Sequence, residues 1–216
     1  MMQVKSKERV RDHGEVLTAE REVTAMLDMV HHELIRTDSR FLEPACGTGN
    51  FLTPIYEKKL TTIKKRYGKS QLEFERYAVV ATGSIYGIDI LQDNVKLCRK
   101  RLFTIFDELY TALYKKKSKD AVREVTQFIL NRNILWGDAL SLKTMAQQPK
   151  PIVFSEWSPV HGSMIKRRDF SFEELMPDNN RNADLFRKAE ISDLGTPAFI
   201  PTPVKEYPLT HFLSLI

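Results

Sequence analysis

The chain has 216 residues, of which 42% are hydrophobic and 28% charged, with nine Gly, ten Pro and two Cys. This composition excludes disordered, collagen-like and disulfide-scaffold proteins, and the length is that of one globular domain. No run reaches the ~18 apolar residues of a membrane span, and the amino terminus lacks the apolar core of a signal peptide, so we expect a cytoplasmic protein without membrane contact. The formal net charge of +5 favours a polyanionic partner, whereas Cys46 and Cys98 lack the neighbours of a metal site.

The first third of the chain predicts a helix, a strand, a glycine-rich turn and a second helix. Apolar residues recur at helical spacing from Thr18 to Leu34, which predicts an amphipathic N-terminal helix. A short apolar strand at Phe41-Leu42 leads into the glycine-rich segment 43–51. The charge and apolar pattern of 52–66 then favours another helix, so the glycine-rich segment lies between a strand and a helix.

Three further strands are predicted downstream, at 85–90, 133–136 and 151–157. An additional helix around 71–77 precedes the first of them, and a long helical pattern at 95–113 follows it, ending in a lysine-rich turn. Strands that alternate with helices indicate an α/β fold with a right-handed, mainly parallel sheet. The apolar run at 85–90 is typical of a strand buried on both faces of such a sheet.

The composition changes after about residue 160, where helical and strand periodicity is lost and prolines become frequent. We therefore expect a domain at 1–160 and an irregular tail at 161–216. The tail carries the basic cluster Lys166-Arg167-Arg168 and an apolar end, Phe212 to Ile216, and we expect it to contact a partner subunit or DNA. An ordinary tail that packs on its own domain is the alternative.

The segment Glu43-Pro-Ala-Cys-Gly-Thr-Gly-Asn-Phe51 carries the most functional information in the chain. Gly47 and Gly49 let the backbone turn sharply and approach a ligand where a Cβ atom would collide. The helix that follows offers its amino-terminal amides to an anionic group. A plain glycine turn would have the same spacing, but an acidic residue at the end of the preceding strand and a proline that fixes the bend favour a binding loop.

This segment resembles the cofactor motif of S-adenosylmethionine-dependent DNA adenine methyltransferases of restriction-modification systems. Three further segments resemble that family's motifs in the same order: GEVLT at 14–18, YGIDI at 86–90 and NILWGDAL at 133–140. The resemblance implies a truncated class I methyltransferase domain, with a Rossmann-like, doubly wound, mainly parallel sheet, that binds S-adenosyl-L-methionine. The wide separation of Gly49 and Asp89, 40 residues, disfavours a nicotinamide dinucleotide site, in which ~20 residues are usual.

The resemblance also assigns the parts of the cofactor to residues. Glu43 and the backbone of 47–50 face the methionine part, and Thr18 closes over its carboxylate. Asp89 accepts the ribose hydroxyls, Ile90 packs on the adenine, and Asp138 accepts its amino group. The implied cofactor-binding residues are Thr18, Glu43, Ala45, Gly47, Gly49, Asn50, Asp89, Ile90, Asp138 and Ala139. Local structure offers other roles for the two aspartates, as a helix N-cap and a turn residue.

The catalytic motif of that family, Asn/Asp-Pro-Pro-aromatic after the fourth strand, is absent from the sequence. The fourth predicted strand continues instead as Trp157-Ser158-Pro159, which offers no amide and leaves these three residues as weak catalytic candidates. About 56 residues after the fourth strand are also few for gripping DNA and extruding a base. The resemblance therefore implies that a second subunit supplies the catalytic motif and target recognition.

Three hypotheses follow. The first is the cofactor-binding subunit or fragment of an adenine-specific DNA methyltransferase that is inactive alone. The second is a complete but divergent methyltransferase that uses the 156–158 region at the target amine. The third is a non-catalytic cofactor-binding regulatory or relic protein. The sequence leaves the recognition site and the choice between DNA and RNA open.

Overall fold

The computed structural model describes residues 9, 11, 18–175, 190–191, 197–198 and 201–216. Positions 14–17 of the first cofactor segment lie outside these residues. No described helix is both long and apolar enough to cross a membrane.

A small sheet with parallel strands forms the centre of the described part of the chain. Its middle strand pairs in parallel with a strand on each side, and a short fourth strand joins the third one antiparallel. In sheet order the strands are β1 (Phe41–Glu43), β2 (Ile85–Asp89), β3 (Ile134–Asp138) and β4 (Lys143–Thr144). The ends of β1, β2 and β3 therefore lie side by side. We call this the carboxyl edge and the opposite side the amino edge.

Helices precede and connect these strands as the periodicity predicts. A turn of 3-10 helix at Lys115–Lys117 separates the last two of these helices, at the place where the sequence predicts a lysine-rich turn. The helices are α1 (Glu20–Met29), α2 (His31–Leu34), α3 (Leu52–Tyr67), α4 (Gln71–Gly83), α5 (Gln92–Tyr114) and α6 (Asp120–Asn133). The predicted single N-terminal helix is thus divided at Val30, and the additional helix near 71–77 is confirmed and extends to Gly83.

Alternate residues of β2 pack on opposite faces of the parallel strands. Ile85 belongs to a large apolar cluster with side chains of α3 to α6. Tyr86 and Ile88 belong to a cluster on the other face with Phe154 and Phe172. Because a strand alternates its side chains, this burial on both faces explains why the 85–90 run is almost wholly apolar.

A second, antiparallel sheet covers the face on which Tyr86 and Ile88 lie. Its two long strands are joined by Gly162 and Ser163. Two short strands from the C-terminal segment pair with the second long strand. The strands are β5 (Val153–His161), β6 (Met164–Ser171), β9 (Lys205–Glu206) and β10 (Thr210–His211). A short helix, α7 (Phe172–Leu175), follows β6, and β7 (Glu190–Ile191) pairs with β8 (Pro197–Ala198).

The α/β class is confirmed, but the sequence prediction of a doubly wound, mainly parallel sheet is wrong in its second half. The strand predicted at 151–157 exists as β5, yet it pairs antiparallel with β6 instead of extending the parallel sheet. A two-residue connection can join only antiparallel neighbours, because a parallel pair needs a crossover of a dozen or more residues. Among the described residues, helices cover one face of the parallel strands and an antiparallel sheet covers the other.

Regular structure also continues beyond the predicted boundary at 160, which falls inside β5. The expectation of an irregular tail at 161–216 is wrong for residues 164–171, which form β6. The C-terminal end packs on the body: Phe212 is 1% exposed and contacts an apolar cluster. The residues of this cluster are Val79, Val125, Ile129, Trp157, Ile165, Phe212 and Leu215.

Replacing Phe212 with Ala should lower the free energy of unfolding by about 3–5 kcal/mol, because it leaves a cavity where a large buried ring stood. Ile216 provides the matched control. Its side chain is 70% exposed, and its replacement by Ala should change the stability by less than about 0.5 kcal/mol. Equilibrium urea unfolding measures both values, and equal effects of the two substitutions would show that the C-terminal segment does not belong to the core.

Candidate functional site

The glycine-rich loop between β1 and α3 lies at the carboxyl edge. Gly47 and Gly49 have φ angles of +51° and +88°, which L side chains rarely adopt. A Cβ atom on Gly49 would also lie 2.8 Å from Sγ of Cys98. The conformation of Gly47 therefore favours glycine, and Gly49 requires it through both conformation and lack of space.

The carboxylate of Asp89 ties this loop to the end of β2. Its Oδ2 accepts the amide of Gly47 at 2.9 Å, and its Oδ1 accepts the amide of Leu91 at 2.8 Å and Nδ2 of Asn94 at 3.2 Å. The amide of Cys46 adds a bond to the carbonyl of Ile88 at 2.8 Å. Only 9% of Asp89 is exposed, so the loop conformation depends on a nearly buried carboxylate with three donors.

Arg101 of α5 holds the loop from the side. Its Nη1 donates to the carbonyl of Thr48 at 2.7 Å and to Oδ1 of Asn50 at 2.9 Å. The side chain of Asn50 is thereby engaged within the protein, which leaves its backbone for a ligand. Sequence reasoning missed Arg101, because a single arginine on a helix carries no local signal of what it contacts 53 residues away.

Two thiols lie beneath the loop. Cys46 and Cys98 are both buried. A hydrogen bond with Cys98 and burial raise the pKa of Cys46, so its thiol stays protonated and acts as a small apolar group. Among the residues that the structure describes, no three His, Cys, Asp or Glu side chains come together to hold a metal ion.

Asp138 at the end of β3 organises its own turn. Its Oδ1 accepts the amide of Leu140 at 2.9 Å and its Oδ2 accepts the amide of Ser141 at 3.2 Å. Hydrogen bonds from Ser141 and Leu140 lower the pKa of Asp138, so the group is an ionised acceptor at neutral pH. The turn role considered for Asp138 is therefore present, and the turn leaves Leu140 96% exposed beside it.

The residue after β2 is positioned by the neighbouring strand. Nε1 of Trp136 donates to the carbonyl of Ile90 at 2.9 Å, and the side chain of Ile90 is 38% exposed. The carboxyl edge thus presents an apolar side chain between Asp89 and Asp138, where the resemblance expects contact with an adenine ring.

The amino-terminal part of the chain also reaches this edge, which sequence reasoning did not foresee. Nη1 of Arg9 pairs with Oδ2 of Asp93 at 2.6 Å, and its Nη2 donates to Oδ1 of Asn94 at 3.3 Å. Since Asn94 also donates to Asp89, Arg9 is linked through one side chain to the carboxylate that holds the loop.

The structure does not bring every predicted residue to this edge. No hydrogen bond joins Thr18, which lies just before α1, to any described residue of the site. Trp157 lies at the amino edge: its Nε1 donates to Oδ1 of Asn133 at 3.1 Å, and its side chain contacts Gly83. Ser158 and Pro159 follow it along β5. The length of β2, roughly 13 Å at ~3.3 Å per residue, thus separates the weak catalytic candidates from the glycine loop.

The basic cluster of β6 is neutralised by carboxylates. Lys166 pairs with Glu206 at 2.9 Å, Arg167 with Asp169 at 2.8 Å and Arg168 with Glu156 at 2.6 Å. These three cations, considered from sequence as phosphate contacts, are therefore already paired within the protein.

This chain matches no protein-family model, no curated protein and no solved structure. Its functional assignment rests on the geometry of the carboxyl edge. That edge combines carboxylates at the ends of three adjacent strands, two glycines with positive φ and exposed apolar side chains. Such a set can bind a ligand that has hydroxyl or amine donors, a cationic part and a flat apolar ring.

Replacing Gly49 with Ala should lower the free energy of unfolding by about 2–5 kcal/mol. The unfavourable backbone conformation contributes roughly 1–2 kcal/mol, and crowding against Cys98 contributes about 1–3 kcal/mol. Equilibrium urea unfolding measures the loss.

The same substitution at Gly162 separates the backbone cost from the crowding. The φ of Gly162 is +52°, and nothing lies within 4 Å of the position of a Cβ atom. Its replacement by Ala should show the backbone cost alone, about 1–2 kcal/mol. If both alanine variants lose the same stability, the close approach of Gly49 to Cys98 has no energetic weight.

Proposed function

We propose that this chain is the S-adenosylmethionine-binding part of an adenine-specific DNA methyltransferase of restriction-modification type, with the catalytic motif on a second polypeptide. The observation that carries the proposal is the carboxyl edge, where Glu43, Asp89 and Asp138 end three adjacent parallel strands beside the glycine loop. All three strands end in segments that resemble motifs of the methyltransferase family.

The glycine loop fits the methionine end of the cofactor. With no Cβ atom at Gly47 and Gly49, the backbone can approach the ligand closely, and Arg101 keeps the loop in place. Glu43 ends β1 next to the loop, and its Oε1 accepts only the amide of Ala45, at 3.3 Å, among the described residues. Its remaining acceptor capacity suits a cationic ammonium or sulfonium centre.

Asp89 fits the ribose end with one adjustment. A carboxylate has about four acceptor sites, and three donors already occupy Asp89. Accepting two ribose hydroxyls therefore requires one donor to leave. Asn94 is the one side-chain donor of the three, and a side-chain rotation is easier than a rearrangement of the loop backbone. We expect Asn94 to turn away when the ligand binds.

The bound cofactor would supply an electrophilic methyl group for transfer to a nitrogen. This chain would hold the cofactor and orient it, but the target amine also needs fixed oxygen acceptors. The residues considered for that role, Trp157, Ser158 and Pro159, lie near the amino edge. Their position counts against the divergent single-chain enzyme and favours acceptors, and target recognition on DNA, from a partner.

The isolated chain should bind S-adenosylmethionine and S-adenosylhomocysteine in isothermal titration calorimetry. Replacing Asp89 with Ala should weaken binding by about 1.5–3 kcal/mol, the range for hydrogen bonds to a charged acceptor. The matched control is Asp107→Ala. It removes a carboxylate on α5 that pairs with Arg123 on α6, and it should leave the affinity for S-adenosylmethionine unchanged.

Both variants need melting curves that show a folded protein, because Asp89 also ties the loop to β2. Absence of binding heat at millimolar ligand with a folded wild-type chain would overturn the proposal. Equal affinity of the wild type and a folded Asp89→Ala variant would move the ribose site away from Asp89.

The purified chain should transfer little or no labelled methyl group to DNA by itself, and a second polypeptide that carries an Asn-Pro-Pro-aromatic motif should restore transfer. Typical enzymes turn over at about 1–10³ per second, so the two cases are easily separated. Turnover in that range by the chain alone, abolished in Ser158→Ala, would favour the divergent single-chain enzyme.

A further inference from the structure

A cavity of about 400 Å³ lies between α6, β6 and the C-terminal segment. Its lining includes Phe128, Arg132, Arg167, Lys205 and Tyr207, together with several residues of 208–216. Arg132 comes two residues before β3 begins, so the cavity is at the amino edge, away from the glycine loop. Its volume lies within the range of small-molecule sites, roughly 300–1,000 Å³.

Two cations of this cavity have no carboxylate partner among the described residues. Arg167 is different, because Oδ1 and Oδ2 of Asp169 accept its Nε and Nη2 at 2.9 and 2.8 Å. Arg132 and Lys205 instead lie over aromatic rings, at 5.5 Å from the centroid of Phe128 and 4.6 Å from that of Tyr207.

An aromatic ring can position a cation without neutralising it, because the ring carries a quadrupole and no net charge. The ring of Tyr207 is itself held in place. Its hydroxyl donates to Oδ2 of Asp169 at 3.0 Å, and the guanidinium of Arg167 lies 4.0 Å from its centroid. Lys205 therefore lies over a ring that is itself held in place, which lowers the entropy cost of binding an anion.

The other face of β6 shows the opposite arrangement. Lys166 and Arg168 point away from Arg167 along the alternating strand, and each pairs with a glutamate. The cations of β6 are thus all paired with carboxylates, whereas Arg132 of α6 and Lys205 of β9, which line the cavity, have no carboxylate partner among the described residues.

The carboxyl end of α6 disfavours anion binding in the cavity, because the negative end of the helix dipole lies near Arg132. Arg99 reduces that effect. Its Nε donates to the carbonyl of Ile134 at 2.9 Å, and its Nη2 to that of Asn131 at 3.2 Å. The carbonyl groups at this helix end are therefore partly satisfied by a further positive charge.

We infer that the cavity binds the phosphate group of a small ligand, at a site separate from the proposed cofactor site. Arg132 and Lys205 supply the charge, and the hydroxyl of Ser214 in the lining supplies a polar contact. The concave shape favours a small ligand, since a polynucleotide follows an extended groove. The inference does not rest on the proposed function.

The test uses isothermal titration calorimetry of the full chain with inorganic pyrophosphate at low salt. We expect saturable binding to the wild type and at least about tenfold weaker binding to the double variant Arg132→Gln/Lys205→Gln, which loses two charge-assisted contacts. The matched control, Lys166→Gln/Arg168→Gln, also removes two positive charges, but from residues that are paired with glutamates. It should change the affinity for pyrophosphate less than about twofold.

Tyr207→Leu removes the ring and keeps the net charge, and it should weaken binding about threefold or more if melting curves show a folded protein. Tyr207→Phe keeps the ring and should bind like the wild type. Labelled duplex DNA serves as the second probe, with fluorescence anisotropy as the readout.

Stronger loss in the Arg132/Lys205 variant than in the control supports the site. No saturable pyrophosphate binding by the wild type, or equal weakening in both double variants, overturns it. DNA binding that needs Arg132 and Lys205, without pyrophosphate binding, also overturns it and assigns the surface to a polynucleotide. Loss of adenosylmethionine binding in a separate titration affects only the proposed cofactor site.

Discussion

The carboxylate of Asp89 organises the edge of the sheet on which the proposed function depends. It ends the central strand and accepts the amide of Gly47, so it joins the second strand to the loop that follows the first. Without this bond the partly buried amide of Gly47 would need another acceptor, because an amide that loses its acceptor away from water is costly, at up to about 1–3 kcal/mol. The positive φ angles of the glycines and the bonds from Arg101 complete one connected loop structure around that carboxylate.

Asp89 would have two competing roles under the proposed function, because it holds the loop and would also accept the ribose hydroxyls. A carboxylate that is almost saturated by protein donors must give one up before it can accept two hydroxyls of a ligand. Asn94 offers that freedom, and Arg9 contacts Asn94 from the amino-terminal part of the chain. Ligand binding at Asp89 would therefore be coupled to the position of Arg9, through a single side chain.

The antiparallel sheet determines which residues lie at the amino edge of the parallel strands. By packing Phe154 and Phe172 against Tyr86 and Ile88, it buries the face that helices leave open. It also carries Trp157 to the amino edge and brings the C-terminal segment onto the body. The amino edge has a cavity lined by two cations without carboxylate partners among the described residues, whereas the carboxyl edge carries carboxylates, so the two edges differ in charge.

The sequence by itself determined most of the helices, the positions of the three parallel strands along the chain and the glycine loop, because periodicity and the spacing of glycines are short-range properties. It also placed Glu43, Asp89 and Asp138 at strand ends. Only the tertiary structure decided that β5 turns back on β6, that Lys166 and Arg168 are neutralised, and that Arg101 and Arg9 reach the loop edge. The pairing of Lys166 with Glu206 and the positions of Arg101 and Arg9 depend on contacts between residues far apart in the chain, for which a local pattern of residue types contains no information.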